Sequence, residues 1–409
     1  MAFGLTKKET SWVLYDVGNS AFVMLSTALI PVYFSSLAEE GSSIVVAWGY
    51  AETVASLILA LLMPILGSLA DLAGNKKKFL VGFAGTGAVA CAVLGVPEHA
   101  LAFLVVYVIS SIMLNGSMVF YDAFLVDATT EDRYDQVSSH GYAWGYIGSC
   151  VPFIVCLAVV LGGPSFGIDM GTGMKIAFVI TALWWIAFTI PIAKNVKQTH
   201  FREHSSHVFR TTFSSLASTV KSIGKDKCLL FFLIAFFFYI DGVHTVIKMS
   251  TSYGTDLGID STQLVLALLV TQFVAFPSAI AYGKLAKHFG TRRMLLIGVL
   301  AYFCIVMFAA FFLKSATEFW ILAICVGLFQ GGIQALSRSE YGKLIPKEKA
   351  NEYYGFFDIF GKYAAVMGTF LVSVFTQLTG NASIGVLSIA VLFIIGFFFL
   401  YAMPKKNAA

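Results

Sequence analysis

Apolar residues run through this chain in long blocks, separated by short clusters of charged residues, Gly and Pro. A membrane-crossing helix needs about 20 mostly apolar residues. The blocks predict spans at 12–37, 45–70, 78–96, 100–126, 138–162, 174–194, 228–253, 261–286, 293–313, 317–340, 352–378 and 383–403. This pattern predicts an all-α polytopic membrane protein. The first block is too long and, with Asp16 and Asn19, too polar for a cleaved leader, so it is expected to remain as a span. Residues 195–227 form the longest polar interval. They divide the chain into a bundle over 1–194, a cytoplasmic linker over 195–227 and a bundle over 228–409.

Lys and Arg fix the expected orientation. Of 27 such residues, all but Lys175, Lys248, Lys314 and Lys362 fall at the termini or in the even-to-odd connections. Basic residues concentrate in cytoplasmic loops. Both termini are therefore expected inside, in a cytoplasmic (inner) membrane.

The two halves repeat. After the second span the chain reads Gly67-Ser68-Leu69-Ala70-Asp71-Leu72-Ala73-Gly74-Asn75-Lys76-Lys77. After the eighth it reads Gly283-Lys284-Leu285-Ala286-Lys287-His288-Phe289-Gly290-Thr291-Arg292-Arg293. Repetition at equivalent places indicates two related six-helix bundles. The Gly…Asp…Gly…Lys pattern resembles the loop between helices 2 and 3 of the major facilitator superfamily. Gly67 lets helices approach closely. Asp71 can pair with basic groups at a helix end. With Lys76, Lys77 and Arg338 it is expected to form a cytoplasmic gate; the alternative is a static loop cap. Lys287 replaces the acid in the second copy, which confines an acid-based latch to the first half.

Charges inside spans are costly, at least about 2.5–3.5 kcal/mol at mid-bilayer, and usually face a cavity or a partner. The seventh span carries Tyr239, Asp241, His244 and Lys248, with the last three on one helical stripe. This constellation points to a proton or substrate-charge site; an Asp241–Lys248 pair that only locks packing is the alternative. Asp16 and Asn19 in the first span and Tyr121 and Asp122 in the fourth are expected to form the N-terminal wall of the solute site. Gln330, Gln334 and Arg338 repeat every four residues in the tenth span, and Gln330 and Gln334 are expected to complete that site. Asp358 and Lys362, spaced i,i+4 in the eleventh, fit either an intrahelical pair or a substrate contact. Glu52 is a further candidate in the outer half of the second span.

Three segments narrow the resemblance. They are Tyr15-Asp16-Val17-Gly18-Asn19-Ser20-Ala21-Phe22, the run from Val137 to Gly148, and Gly331-Gly332-Ile333-Gln334-Ala335-Leu336-Ser337-Arg338-Ser339. Leu344-Ile345-Pro346 and the run from Tyr354 to Lys362 follow the third. Together they are similar to the Atg22-like branch of the major facilitators, the family of fungal vacuolar effluxers, with the short loops of a bacterial member. The resemblance implies a twelve-helix transporter of small solutes, and its fungal members imply amino acids. His140, Asp122 and Lys248 stand where that pattern has Arg, Asn and an uncharged residue. The added charges suggest a charged substrate or a different coupling ion.

The expected function is secondary active transport of a small polar or charged solute, coupled to protons, by rocking of two bundles about a midplane site. Other transport readings are an uncoupled facilitator or a lipid or lysolipid flippase. A membrane nutrient sensor without turnover is a reading from another class. The chain is 58% hydrophobic and 12% charged, far below the ~25% charge of soluble domains, and its net charge is only +4. Nothing points to nucleic acid; the expected partners are a solute, protons and lipid, with the protein a monomer. Six cysteines lie in or beside apolar runs without a CxxC pair, so neither metal nor disulfide chemistry is expected. No cofactor is expected: Gly331-Gly332 lacks the Lys-Ser/Thr of a phosphate-binding loop. No Ser/His/Asp or HExxH arrangement supports an enzyme.

Overall fold

The computed structural model describes residues 4–37, 44–203 and 208–404, which are helical nearly throughout. The spans are carried by α1 (Lys7–Ala28) with α2 (Ile30–Leu37), α3 (Ile44–Ala70), α4 (Asn75–Val93), α5 (Ala100–Ala123) with the short α6 (Leu125–Ala128), α7 (Tyr134–Gly162) and α8 (Met170–Asn195). After α9 (Val208–Lys225), the second six are α10 (Lys227–Asp256), α11 (Ser261–Phe289), α12 (Thr291–Phe312), α13 (Ala316–Leu344), α14 (Ala350–Thr379), and α15 (Ala382–Ser388) with α16 (Ala390–Ala402).

Among the described residues, nine helices are long and apolar enough to cross a membrane unaided. Of the other three spans, the first breaks at Leu29 because Pro31 follows: its ring excludes a continuous helix but suits the first turn of α2. The third is the continuous helix α4, which opens on three lysines, and the eleventh is the continuous helix α14.

The chain forms two compact units. The first comprises residues 1–130, 144–213 and 347–355; the second comprises 131–143, 214–346 and 356–409. In the first, α1 packs on α8, α4 on α5 and α8, and α3 on α5. In the second, α10 packs on α16, α12 on α13 and α16, and α11 on α13. Counted as spans, these are the same four pairings shifted by six.

The repeated loop is built on two glycines with separate duties. Gly74 and Gly290 precede α4 and α12 at φ +75 and +88, where a side chain is strained. Gly67 and Gly283 sit where another segment presses on the helix. A Cβ on Gly67 would lie 2.5 Å from the Asn351 carbonyl oxygen. One on Gly283 would lie 2.6 Å from Ser139 Oγ.

One span boundary differs from the sequence expectation, and one interval holds an added helix. Tyr134 to Val137 already belong to α7, which begins where Asp135 can favour a helix N-terminus. The 195–227 interval contains the helix α9. Its signal lies in Phe209, Phe213, Leu216, Val220 and Ile223, apolar at helical spacing inside a polar stretch.

Candidate functional site

Each unit holds a buried tyrosine–serine pair at the same place in its repeat. The Tyr15 hydroxyl donates to Ser117 Oγ at 2.6 Å, tying α1 to α5. Tyr239 and Ser337 share a hydrogen bond of 2.7 Å between α10 and α13. Both tyrosines are fully buried.

In the first unit, Asp16 is buried beside Tyr121, whose hydroxyl lies 3.3 Å from its carboxylate as donor. Trp12 stacks on the Tyr121 ring at 4.4 Å, and its indole N–H donates to the Tyr121 carbonyl. The Asn19 amide donates to the Tyr15 carbonyl of its own helix. Asp122 is half-buried on the adjoining turn. Glu52 accepts from the Tyr107 hydroxyl of α5.

In the second unit, Asp241 is fully buried. Its Oδ1 accepts from the Gly368 backbone N–H at 2.9 Å and from the Thr245 hydroxyl at 3.3 Å. Its Oδ2 has no partner among the described residues. Gly368 is needed for this approach, because a Cβ there would lie 2.7 Å from Asp241 Oδ1. His244 is half-buried and Lys248 is exposed. Asp241 and Lys248 form no ion pair; the carboxylate is held by α14 instead. Gln330 is buried, and Gln334 and Asp358 are half-buried. The Lys362 side chain lies outside the described residues.

Three clusters occupy helix ends on the side predicted to be cytoplasmic. Asp71, fully buried, accepts the Asn351 and Glu352 backbone N–H groups, each at 2.9 Å, and the Asn351 amide at 2.7 Å. These donors belong to the start of α14, where unpaired N–H groups and the helix dipole favour an anion. Burial pushes the Asp71 carboxyl up to about 7, against the opposing pull of Lys76 and the three donors.

Lys76 makes its ion pair with Asp127, at 2.7 Å, both side chains fully buried. Thr199 and the His200 backbone also donate to Asp127. Burial raises the Asp127 carboxyl, but Lys76, His200 and Thr199 together hold it well below the ordinary range. The segment after α8 is thereby strapped to the loop: Arg202 exchanges backbone hydrogen bonds with Asp71 and Ala73, and its guanidinium meets Glu352 at 3.3 Å. Lys77 is half-buried beside this cluster.

The second unit uses other chemistry. Asp135, at the start of α7, accepts from Lys343 at 2.7 Å, from Thr291 at 2.7 Å and from Ser339 at 2.6 Å. Arg338 is buried; it donates to the Ser138 hydroxyl and carbonyl, each at 2.9 Å, and covers the Tyr142 ring at 4.4 Å.

The structure thus brings Asp16 to Tyr121, and gathers Asp71 and Gly67 onto the start of α14. It separates Asp71 from a direct bond to Lys76 or Lys77. The sequence expectation lacked the partners Asn351, Glu352, Arg202, Asp135, Lys343 and Ser138. Glu352 and Asp135 carried a local signal, since each lies in the first turn of a helix. Their mates lie far off, up to 281 residues in the case of Asp71 and Glu352, and no local pattern announces them.

The Vacuole effluxer Atg22 like family profile matches residues 42–409. The MFS-type transporter YxiO of Bacillus subtilis is 45% identical over 98% of this chain and 96% of its own length. Autophagy-related protein 22 of Cryptococcus neoformans is 25% identical over 64% of this chain and 48% of its own length, so this chain spans about half of that fungal relative. The major facilitator transporter FucP, solved in an outward conformation, superposes with a TM-score of 0.73 at 13% identity, covering 97% of this chain and 98% of its own. With the twelve spans and the four repeated pairings, these matches place the chain in the Atg22-like family of major facilitator superfamily transporters, as a multi-pass membrane protein.

Proposed function

We propose that this protein is a proton-coupled secondary transporter of a small polar or charged solute, working by alternating access in the cytoplasmic membrane with both termini inside. Asp241 carries the reading. A fully buried carboxylate in the middle of a span, with one oxygen bonded and the other unmatched among the described residues, is a place for a proton. Burial disfavours the charged form of such a group, and an opposite charge restores it. Asp241 is therefore assigned the coupling proton. His244 and Lys248 follow it along α10 and are assigned the charge of the solute. Asp16, Asn19, Tyr121 and Asp122 are assigned solute contacts in the first unit, and Tyr239, Gln334, Asp358 and Lys362 in the second. Gly67, Asp71, Lys76, Lys77 and Arg338 are assigned to the cytoplasmic gate. Amino acids are the first solutes to test, because the family's fungal members are vacuolar effluxers.

Purified protein should first be screened for thermal stabilisation by single amino acids and small organic acids, since a ligand stabilises the state it binds. Solutes that stabilise should then exchange across proteoliposomes at a rate set by the pH gradient. Stabilisation without flux would make the protein a sensor. Flux indifferent to every ion gradient would make it a facilitator.

A further inference from the structure

The second unit holds a partly open cavity of its own, ≈ 70 Å³ in volume, between α10, α11, α12, α13 and α15. Asp241, His244 and Lys248 do not line it. Its wall is apolar along most of its length, with Leu268, Val306 and Phe319 from three different helices. No Asp, Glu, Lys, Arg or His lines it among the described residues.

Five polar side chains reach the wall, and they divide into two groups. Ser250, Tyr253 and Thr271 spend their hydroxyl protons locally: Ser250 on the Ile247 carbonyl, Tyr253 on the Ala309 carbonyl while sharing a further hydrogen bond with the Ser383 hydroxyl, and Thr271 on the Ala267 and Ala323 carbonyls. Gln272 and Gln330 have no hydrogen-bond partner among the described residues. Gln330 is 5% exposed. A carboxamide offers two donors and an acceptor. A ligand with one hydrogen-bonding group would meet them, and its body would lie along the apolar wall.

A second hollow lies on α12 and α13, lined by Cys304, Phe308, Ile321 and Cys325. It shares Ile305 and Leu322 with the inner cavity. Cys304 is exposed and Ile321 is 48% exposed, on helices apolar enough to face lipid. The two side chains common to both hollows are thus the partition between the cavity and the surface of the bundle.

We infer that the second unit carries a binding site for an uncharged amphiphile, an alkyl or aromatic chain bearing one hydroxyl or amide group, reached from the bilayer between α12 and α13. The polar group meets Gln330 and Gln272, and the chain lies toward Leu268, Val306 and Phe319. The site is independent of the Asp241 assignment. A charged head is excluded because the wall holds no counter-charge.

The probe is octanol bearing a diazirine, photolysed with the full-length protein in detergent and mapped by mass spectrometry. Adducts are expected on cavity residues such as Met249, Tyr253 and Phe319, with n-decanol competing. Ala267→Phe fills the cavity and should cut the adducts at least fivefold. Gln330→Leu keeps the volume; it should weaken decanol competition at least fivefold while a diazirine-bearing octane still labels. If Ala267→Phe does not fold, the Gln330→Leu comparison alone decides. Adducts confined to outward residues such as Ile297 and Phe311, or labelling unmoved by decanol and by Gln330→Leu, would overturn the site.

Discussion

The two units hold the starts of α14 and α7 by different means, although the loops that lie against those starts are copies. In the first unit Asp71 grips backbone N–H groups, and Gly67 lets the Asn351 carbonyl press on α3. In the second, Lys287 stands where Asp71 stood, and the grip passes to side chains: Lys343, Thr291 and Ser339 on Asp135, and Arg338 on Ser138. Both copies keep the pair of glycines. The repeat has preserved the backbone geometry and exchanged the charges. A fixed helix end admits only a carboxylate at one position, whereas a side-chain network can be assembled from several.

The comparison breaks first at Asp71. Asp71→Ala leaves three buried donors without an acceptor, at about 1–3 kcal/mol each. It should lower the melting temperature of the purified protein more than any change in the second unit's network. Gly67→Ala comes next, at about 2–3 kcal/mol, because the clash is with backbone that cannot rotate away. Gly283→Ala should cost a similar amount, because Ser139 Cβ at 2.7 Å and the Asp135 carbonyl at 3.0 Å stay in place even when Ser139 Oγ turns aside. A much smaller cost at Gly283 would show that only the first unit's approach is tight. Lys343→Ala should cost about 1 kcal/mol, because Asp135 retains two hydroxyl donors.

Acidity sharpens the contrast within the first unit. Burial raises Asp71 from 3.8 to about 7, so the folded state holds its proton more tightly than the unfolded chain does. Its contribution to stability is complete below about pH 4 and fades as pH rises through about 7. Asp127 moves the other way: its contribution is complete above the ordinary carboxylate range and fades as pH falls below it. In melting curves against pH, Asp71→Asn should flatten the fall between about pH 4 and 7. Asp127→Asn should flatten only the acid limb. A shared response would show that the two carboxylates titrate as one group.

The fold was readable because a bilayer demands long apolar blocks and the loops between them carry lysines. The repeated glycines were readable because backbone strain and close approach leave a residue-level mark. The amphipathic α9 was readable in principle, but its apolar positions sit diluted among Ser, Thr and Lys. The stripe of Asp241, His244 and Lys248 was legible as a line along one helix. Its partner was not: Gly368 binds Asp241 through its backbone N–H, 127 residues away, and a backbone donor leaves no chemical signature in sequence. The same holds for Asp71, whose ligands are helix-end amides and not the basic pair five residues on.

The most direct test of the central claim is proton movement through Asp241. Protein reconstituted in liposomes with pyranine inside should change lumenal pH when a mixture of amino acids is added outside, and Asp241→Asn should abolish the change while solute exchange persists. A wild-type signal that survives in Asp241→Asn at full size would contradict the coupling role.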